Sequence, residues 1–147
     1  MNDQSTVPTV RYFDEISEGM SGEFSKTITE ADVNTFAEVS GDKNPIHVDV
    51  GFAAASIFGQ RISHGMLVAG LISAVFGYHF PGPGWIYVNQ SLRFKAPVFL
   101  GHTVTAVVTA TKLIPEKQMI EFDTVVSVGD KVVIDGTALL MSPKRPT

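Results

Sequence analysis

The apolar positions fall into two regimes along the chain. Residues 65–80 (GMLVAGLISAVFGYHF) contain no Asp, Glu, Lys or Arg, and only Ser73, Tyr78 and His79 interrupt the apolar run. As a helix this run spans about 24 Å, enough to cross a small domain but short of the ~20 apolar residues of a membrane span. A helix apolar on most faces has to be enclosed on several sides. Beyond Pro81-Gly82-Pro83-Gly84, which cannot continue a helix, the period becomes two. Residues 85–94 place Ile86, Val88, Leu92 and Phe94 on one side, and residues 119–128 alternate through Ile120, Phe122, Thr124 and Val126. Residues 104–114 are rich in Val and Thr, and residues 131–141 follow a Gly129-Asp130 hairpin signal.

Upstream, residues 23–28 alternate as a first strand. Thr29 with Asp32 has the form of a capping box opening a helix over residues 30–39, which Ser40-Gly41 ends. Asp49 reads as the cap of a short helix over residues 50–58, rather than as an acid for chemistry. Strand, helices, then four strands is an α+β order. The expectation is an antiparallel sheet wrapped around one long central helix. It forms a single domain over residues 16–142, with a flexible tail at residues 1–15 and another at residues 143–147. Such a sheet leaves an edge strand, which dimerisation is one way to cover.

Composition narrows the function. The chain has 147 residues, 44% of them hydrophobic and only 18% charged, with a net charge of −4. That balance argues against a nucleic-acid partner, which would want a basic stripe. The absence of cysteine removes disulfides, thiol nucleophiles and thiolate metal sites, and is compatible with a cytoplasmic location. The polar, acidic start MNDQSTVPTV reads as neither signal peptide nor membrane anchor.

The chemistry concentrates in Gly41-Asp42-Lys43-Asn44-Pro45-Ile46-His47, just before the long helix. Taken singly, Asp42 is turn chemistry and His47 a surface or core histidine. Pro45 excludes one continuous helix from Asp42 to His47, so an irregular loop can bring both side chains onto one water. Asn44 is suited to hold that loop through side-chain to backbone bonds. His47 titrates near neutrality. His64 is either a supporting group or merely the flank of the helix, and Ser73 suits packing better than catalysis. His79 and His102 read as surface residues. Asp42, His47, Asp49 and His64 match no metal-ligand spacing, and Ser63-His64 lacks a nucleophile elbow.

The loop motif, His64-Gly65-Met66 and Gln90-Ser91-Leu92-Arg93-Phe94-Lys95-Ala96-Pro97-Val98 stand in the same order as in a known family. Together they resemble the MaoC-like R-specific enoyl-CoA hydratases of the hot-dog fold, with weaker agreement after Gly101. The family often has Asp where His102 stands here, a departure remote from the loop. The resemblance implies reversible hydration of a 2-enoyl-CoA to the (R)-3-hydroxyacyl-CoA without metal or other cofactor. It also implies a homodimer, or a higher oligomer, whose sheets join side by side with the site near the interface.

That reaction needs a base for water, a proton for C2 and donors for the thioester oxygen. Asp42 and His47 would share the first two tasks, with either as the base. The N–H of Gly65 would serve the third, at the positive end of the helix, where a missing Cβ admits a thioester. The acyl chain, expected to be short, would run along Ala69, Ile72 or Ser73, and Phe76. Arg93 and Lys95 could meet the phosphates of coenzyme A. Three rivals stand beside this reading. A hot-dog thioesterase usually carries an acid on the central helix, which this one lacks. A 3-hydroxyacyl-acyl-carrier-protein dehydratase runs the same chemistry on another carrier. A non-enzymatic acyl-binding module would have no reason to pair Asp42 with His47.

Overall fold

The protein is seen here as a computed structural model that describes residues 7–147. Its elements are β1 (Ser21–Thr27), α1 (Glu30–Ser40), the single turn α2 (Pro45–Val48), α3 (Val50–Ala54) and α4 (Gly65–Ala74), followed by β2 (Ile86–Gln90), β3 (Arg93–Phe94), β4 (Thr103–Ile114), β5 (Met119–Val128) and β6 (Lys131–Met141). The strands form one antiparallel six-stranded sheet in the order β1-β4-β5-β6-β2, with β3 also paired to β6.

Period-two patterning decides which face is dry. Val104, Ala106, Val108 and Ala110 of β4 and Ile120, Phe122, Thr124 and Val126 of β5 all turn inward and are buried. Against them lie Val68, Leu71 and Ile72 of α4 with Val75 and Phe76 just beyond. Each buried Val, Leu, Ile or Phe among them contributes about 1.5–3 kcal/mol, and the sheet curls round the helix because the helix offers apolar surface on several sides. This is the hot-dog arrangement. The capping box at Thr29 forms, with Asp32 N–H on Thr29 Oγ1 at 3.1 Å and Thr29 N–H on Asp32 at 3.0 Å. Asp49 caps α3 by accepting from Phe52 N–H at 2.8 Å.

Three expectations change. The long helix is α-helical only to Ala74 and ends in a π turn, Val75–His79, in which Phe80 N–H reaches back to Val75 O at 2.7 Å. The strand expected over residues 85–94 is two strands, because Ser91 leaves the ladder and presses its main chain against β6. A Cβ on Gly136 would come within 1.8 Å of Ser91 O, so only glycine admits that approach. The N-terminal segment is fastened well before residue 16. Trp85 Nε1 donates to Arg11 O at 2.9 Å, Phe13 N–H to Ser142 Oγ at 3.0 Å, and Arg145 pairs with Asp14 at 2.7 Å. Residues 1–6, the rest of that expected tail, lie outside the described residues.

Candidate active site

Helix α1 ends in a left-handed Gly41 (φ 82°) that turns the chain into the Asp42 loop. Asp42 Oδ1 accepts from Asn44 N–H at 3.3 Å, and Asn44 Oδ1 accepts from Ile46 N–H at 3.2 Å, so Asn44 caps α2. The loop is therefore less irregular than its sequence suggests. Pro45 occupies the first position of a one-turn helix, where its missing N–H costs nothing, and that turn carries His47 into the protein.

Residues 61–64 run beside this loop and hold it along its length. His47 Nδ1 is 2.8 Å from Ile62 O. A carbonyl only accepts, so Nδ1 carries the proton and Nε2 keeps a free lone pair. Arg61 Nε donates to His47 O at 2.5 Å, and Ile62 N–H donates to Ile46 O at 3.3 Å. At the other end of the loop His64 Nε2 donates to Asp42 O at 2.8 Å. The His47 and His64 rings lie 3.9 Å apart with their planes tilted by 33°, and the Phe36 ring lies 4.7 Å from His64. His64 is 1% exposed and its Nδ1 has no hydrogen-bond partner among the described residues.

One polar atom from each of Asp42, His47 and His64 falls within 4.8 Å of the other two. The grouping is of a size to hold one water, and each residue has a polar atom left for it. Burial is the main influence pushing the His47 pKa below its ordinary value of 6.5, helped by the neighbouring His64; the Ile62 carbonyl and Asp42 oppose it. His47 is thus a neutral acceptor at neutral pH.

These residues line a cavity of ≈510 Å³ together with Gly65, Met66, Phe94 and Lys95. Its floor includes the start of α4, where the first N–H groups have no acceptor within the helix. Gly65 opens α4 and lines the cavity, and a Cβ there would lie 2.6 Å from the Phe94 ring. Lys95 lines the cavity, whereas Arg93 does not. Both pair with Asp135, at 3.1 Å from Arg93 and 3.4 Å from Lys95, and Arg93 chiefly holds that carboxyl below its usual range. The acyl-chain residues separate from the cavity. Ala69 and Ser73 line a second depression with Tyr87 and Gln90, and Met66 borders both depressions. Phe76 is 3% exposed, edge-on to Tyr87 and Phe122.

Arg61 and Ile62 were not visible as site residues in a connector without periodicity. One signal existed: between Asp49 and Arg93 the sequence holds no other Asp, Glu, Lys or Arg than Arg61. A lone charge in so apolar a stretch is one that the fold must satisfy.

Comparison with known proteins shows the family of the chain. A family model described as a MaoC like domain matches residues 13–134. An (R)-specific enoyl-CoA hydratase of Rhodospirillum rubrum is 54% identical over 136 residues, which is 92% of this chain and 94% of the relative. A 3-hydroxybutyryl-CoA dehydratase of Methylorubrum extorquens is 47% identical over 136 residues, 92% of this chain and 87% of the relative. Among solved structures, the (R)-hydratase from A. caviae involved in PHA biosynthesis superposes with a TM-score of 0.84 at 40% identity, covering 87% of this chain and 98% of that one.

Proposed function

The chain belongs to the MaoC-like family, and from that premise we propose that it is a hydro-lyase interconverting trans-2-enoyl-CoA and (R)-3-hydroxyacyl-CoA. The observation that carries the reading is the meeting of Asp42, His47 and His64 in one cavity at the N-terminus of α4.

Asp42 orients the water through a carboxylate oxygen. His47 Nε2, left free because Nδ1 is committed to Ile62 O, takes the proton as the oxygen attacks C3. Electron density moves to the thioester oxygen, which the N–H of Gly65 receives at the positive end of α4. The imidazolium then returns the proton to C2, so one water is added and the enzyme is regenerated. These residues cover all three requirements of the reaction, so no metal or other cofactor is needed beyond the CoA of the substrate. Lys95 faces the cavity and is the better of the two cations to meet the CoA phosphates. The acyl chain passes Met66 into the depression lined by Ala69 and Ser73, with Phe76 behind it.

The protein acts as a homodimer. Among the described residues no helix is long and apolar enough to cross a membrane, and the reaction is assigned to the cytoplasm. The test is loss of the enoyl-thioester absorbance when crotonyl-CoA is added. Asp42→Asn and His47→Gln should each slow it by at least about 10²-fold, while a chelator leaves the rate unchanged. Release of free thiol in place of hydration would identify a thioesterase and overturn the reading.

A further inference from the structure

Arg61 is a buried cation, 9% exposed, that takes no part in the chemistry above. All three sides of its guanidinium are engaged: Nε with His47 O at 2.5 Å, Nη1 with Glu30 Oε1 at 2.9 Å, and Nη2 with Asn34 Oδ1 at 2.8 Å. Glu30 and Asn34 belong to the first half of α1, the helix that delivers Asp42. His47 O lies at the end of α2, where the last carbonyls of a helix have no acceptor role within it. The guanidinium therefore ties the start of α1 to the carbonyl of the residue that α2 exists to present. The adjacent Ile62 O takes the ring of the same histidine, so two consecutive residues hold His47 by main chain and side chain at once.

We propose that Arg61 is a positioning residue for the hydration, keeping His47 in the orientation and tautomer in which Nε2 faces the water. The inference rests on the functional reading above. A charge alone would not suffice, because the guanidinium spreads its donors over three nitrogens of one rigid plane, whereas the three donors of a lysine radiate from a single atom. If the carbonyl of His47 is released, α2 can turn, the Nδ1 contact with Ile62 O lengthens, and the ring loses the bond that selects its tautomer.

The test compares the full-length protein with Arg61→Lys and Arg61→Ala. Arg61→Lys should lower kcat on crotonyl-CoA by about 10²-fold while KM and the circular dichroism spectrum stay near those of the parent. Arg61→Ala should regain part of its kcat when guanidinium ion is added at low millimolar concentration. Nitrogen-15 spectra of the histidine rings should show His47 as the Nδ1–H tautomer in the parent and a mixture in Arg61→Lys. A folded Arg61→Lys protein with parental kcat and an unchanged His47 tautomer overturns the proposal. So does an Arg61→Ala loss that merely follows the unfolded fraction and ignores guanidinium. Should the parent itself fail to hydrate crotonyl-CoA, the functional reading falls, and the ring spectra still decide whether Arg61 governs His47.

Discussion

His47 illustrates how one residue takes its role from two contacts. Ile62 O fixes where its proton is, and burial keeps it from gaining a second. A base must be unprotonated to work, so the acid limb of kcat/KM should fall below pH 6.5, the ordinary histidine value. A pH–rate profile with that limb at or above 6.5 would contradict the assignment of His47 as base. The stability consequence has the same origin. Between its lowered folded-state pKa and 6.5 the unfolded chain binds the proton more readily. His47 therefore contributes stability that is present above 6.5 and lost as the pH falls through the folded value. Gly65 is a second case. Phe94 is 53% exposed and lines the cavity, so its ring can yield to a new methyl group, and that movement reshapes the cavity wall. Gly65→Ala should cost no more than about 1–3 kcal/mol in stability yet lower kcat/KM by about 10-fold or more. Thermal unfolding and steady-state kinetics on the same preparation would check both.

At the scale of elements, α4 and the π turn that follows it divide two jobs between them. The first turn of α4 faces the cavity, while Val75 and Phe76 of the π turn are locked in the core. The Phe76 ring meets Phe122 at 5.0 Å and Tyr87 at 5.4 Å, so it is a core residue before it is a wall of any tunnel. Phe76→Ala should therefore destabilise by about 3–5 kcal/mol, the usual cost of emptying a buried aromatic site. If the acyl chain runs past Ala69 and Ser73, the same variant should also accept longer enoyl-CoA substrates. Denaturant titration measures the first effect and rates across a chain-length series the second. An unchanged chain-length profile would move the acyl group elsewhere. The loop between α1 and α2 shows the complementary pattern: it is stabilised locally by Asp42 and Asn44, but aimed by residues 61–64, which lie well downstream of it.

For the whole molecule, the sheet has two edges of different character. The β1 edge carries Glu23 and Lys26, whereas the β2 edge exposes Ile86, Tyr87 and Val88. Apolar side chains on an open strand are what a second sheet would cover. Sedimentation should therefore give about twice the 15.9 kDa chain mass, and Val88→Lys should shift it toward the monomer, because lysine guards an edge against pairing. A parent protein that sediments as a monomer would remove the dimer. Much of this molecule could be read from its pattern alone. Alternation along β4 and β5, the uncharged run of α4, the Thr29 and Asp49 caps and the Asp42-to-His47 motif are all set by neighbours within a few residues, where local sterics and periodicity decide. Long-range contacts decided the rest. The grip of Arg61 and Ile62 on His47, the contact of His64 with the same ring, the break at Ser91 against Gly136 and the Phe94 ring over Gly65 all join residues far apart in the chain. No local preference records such pairings, because their energy exists only once the sheet has closed around the helix.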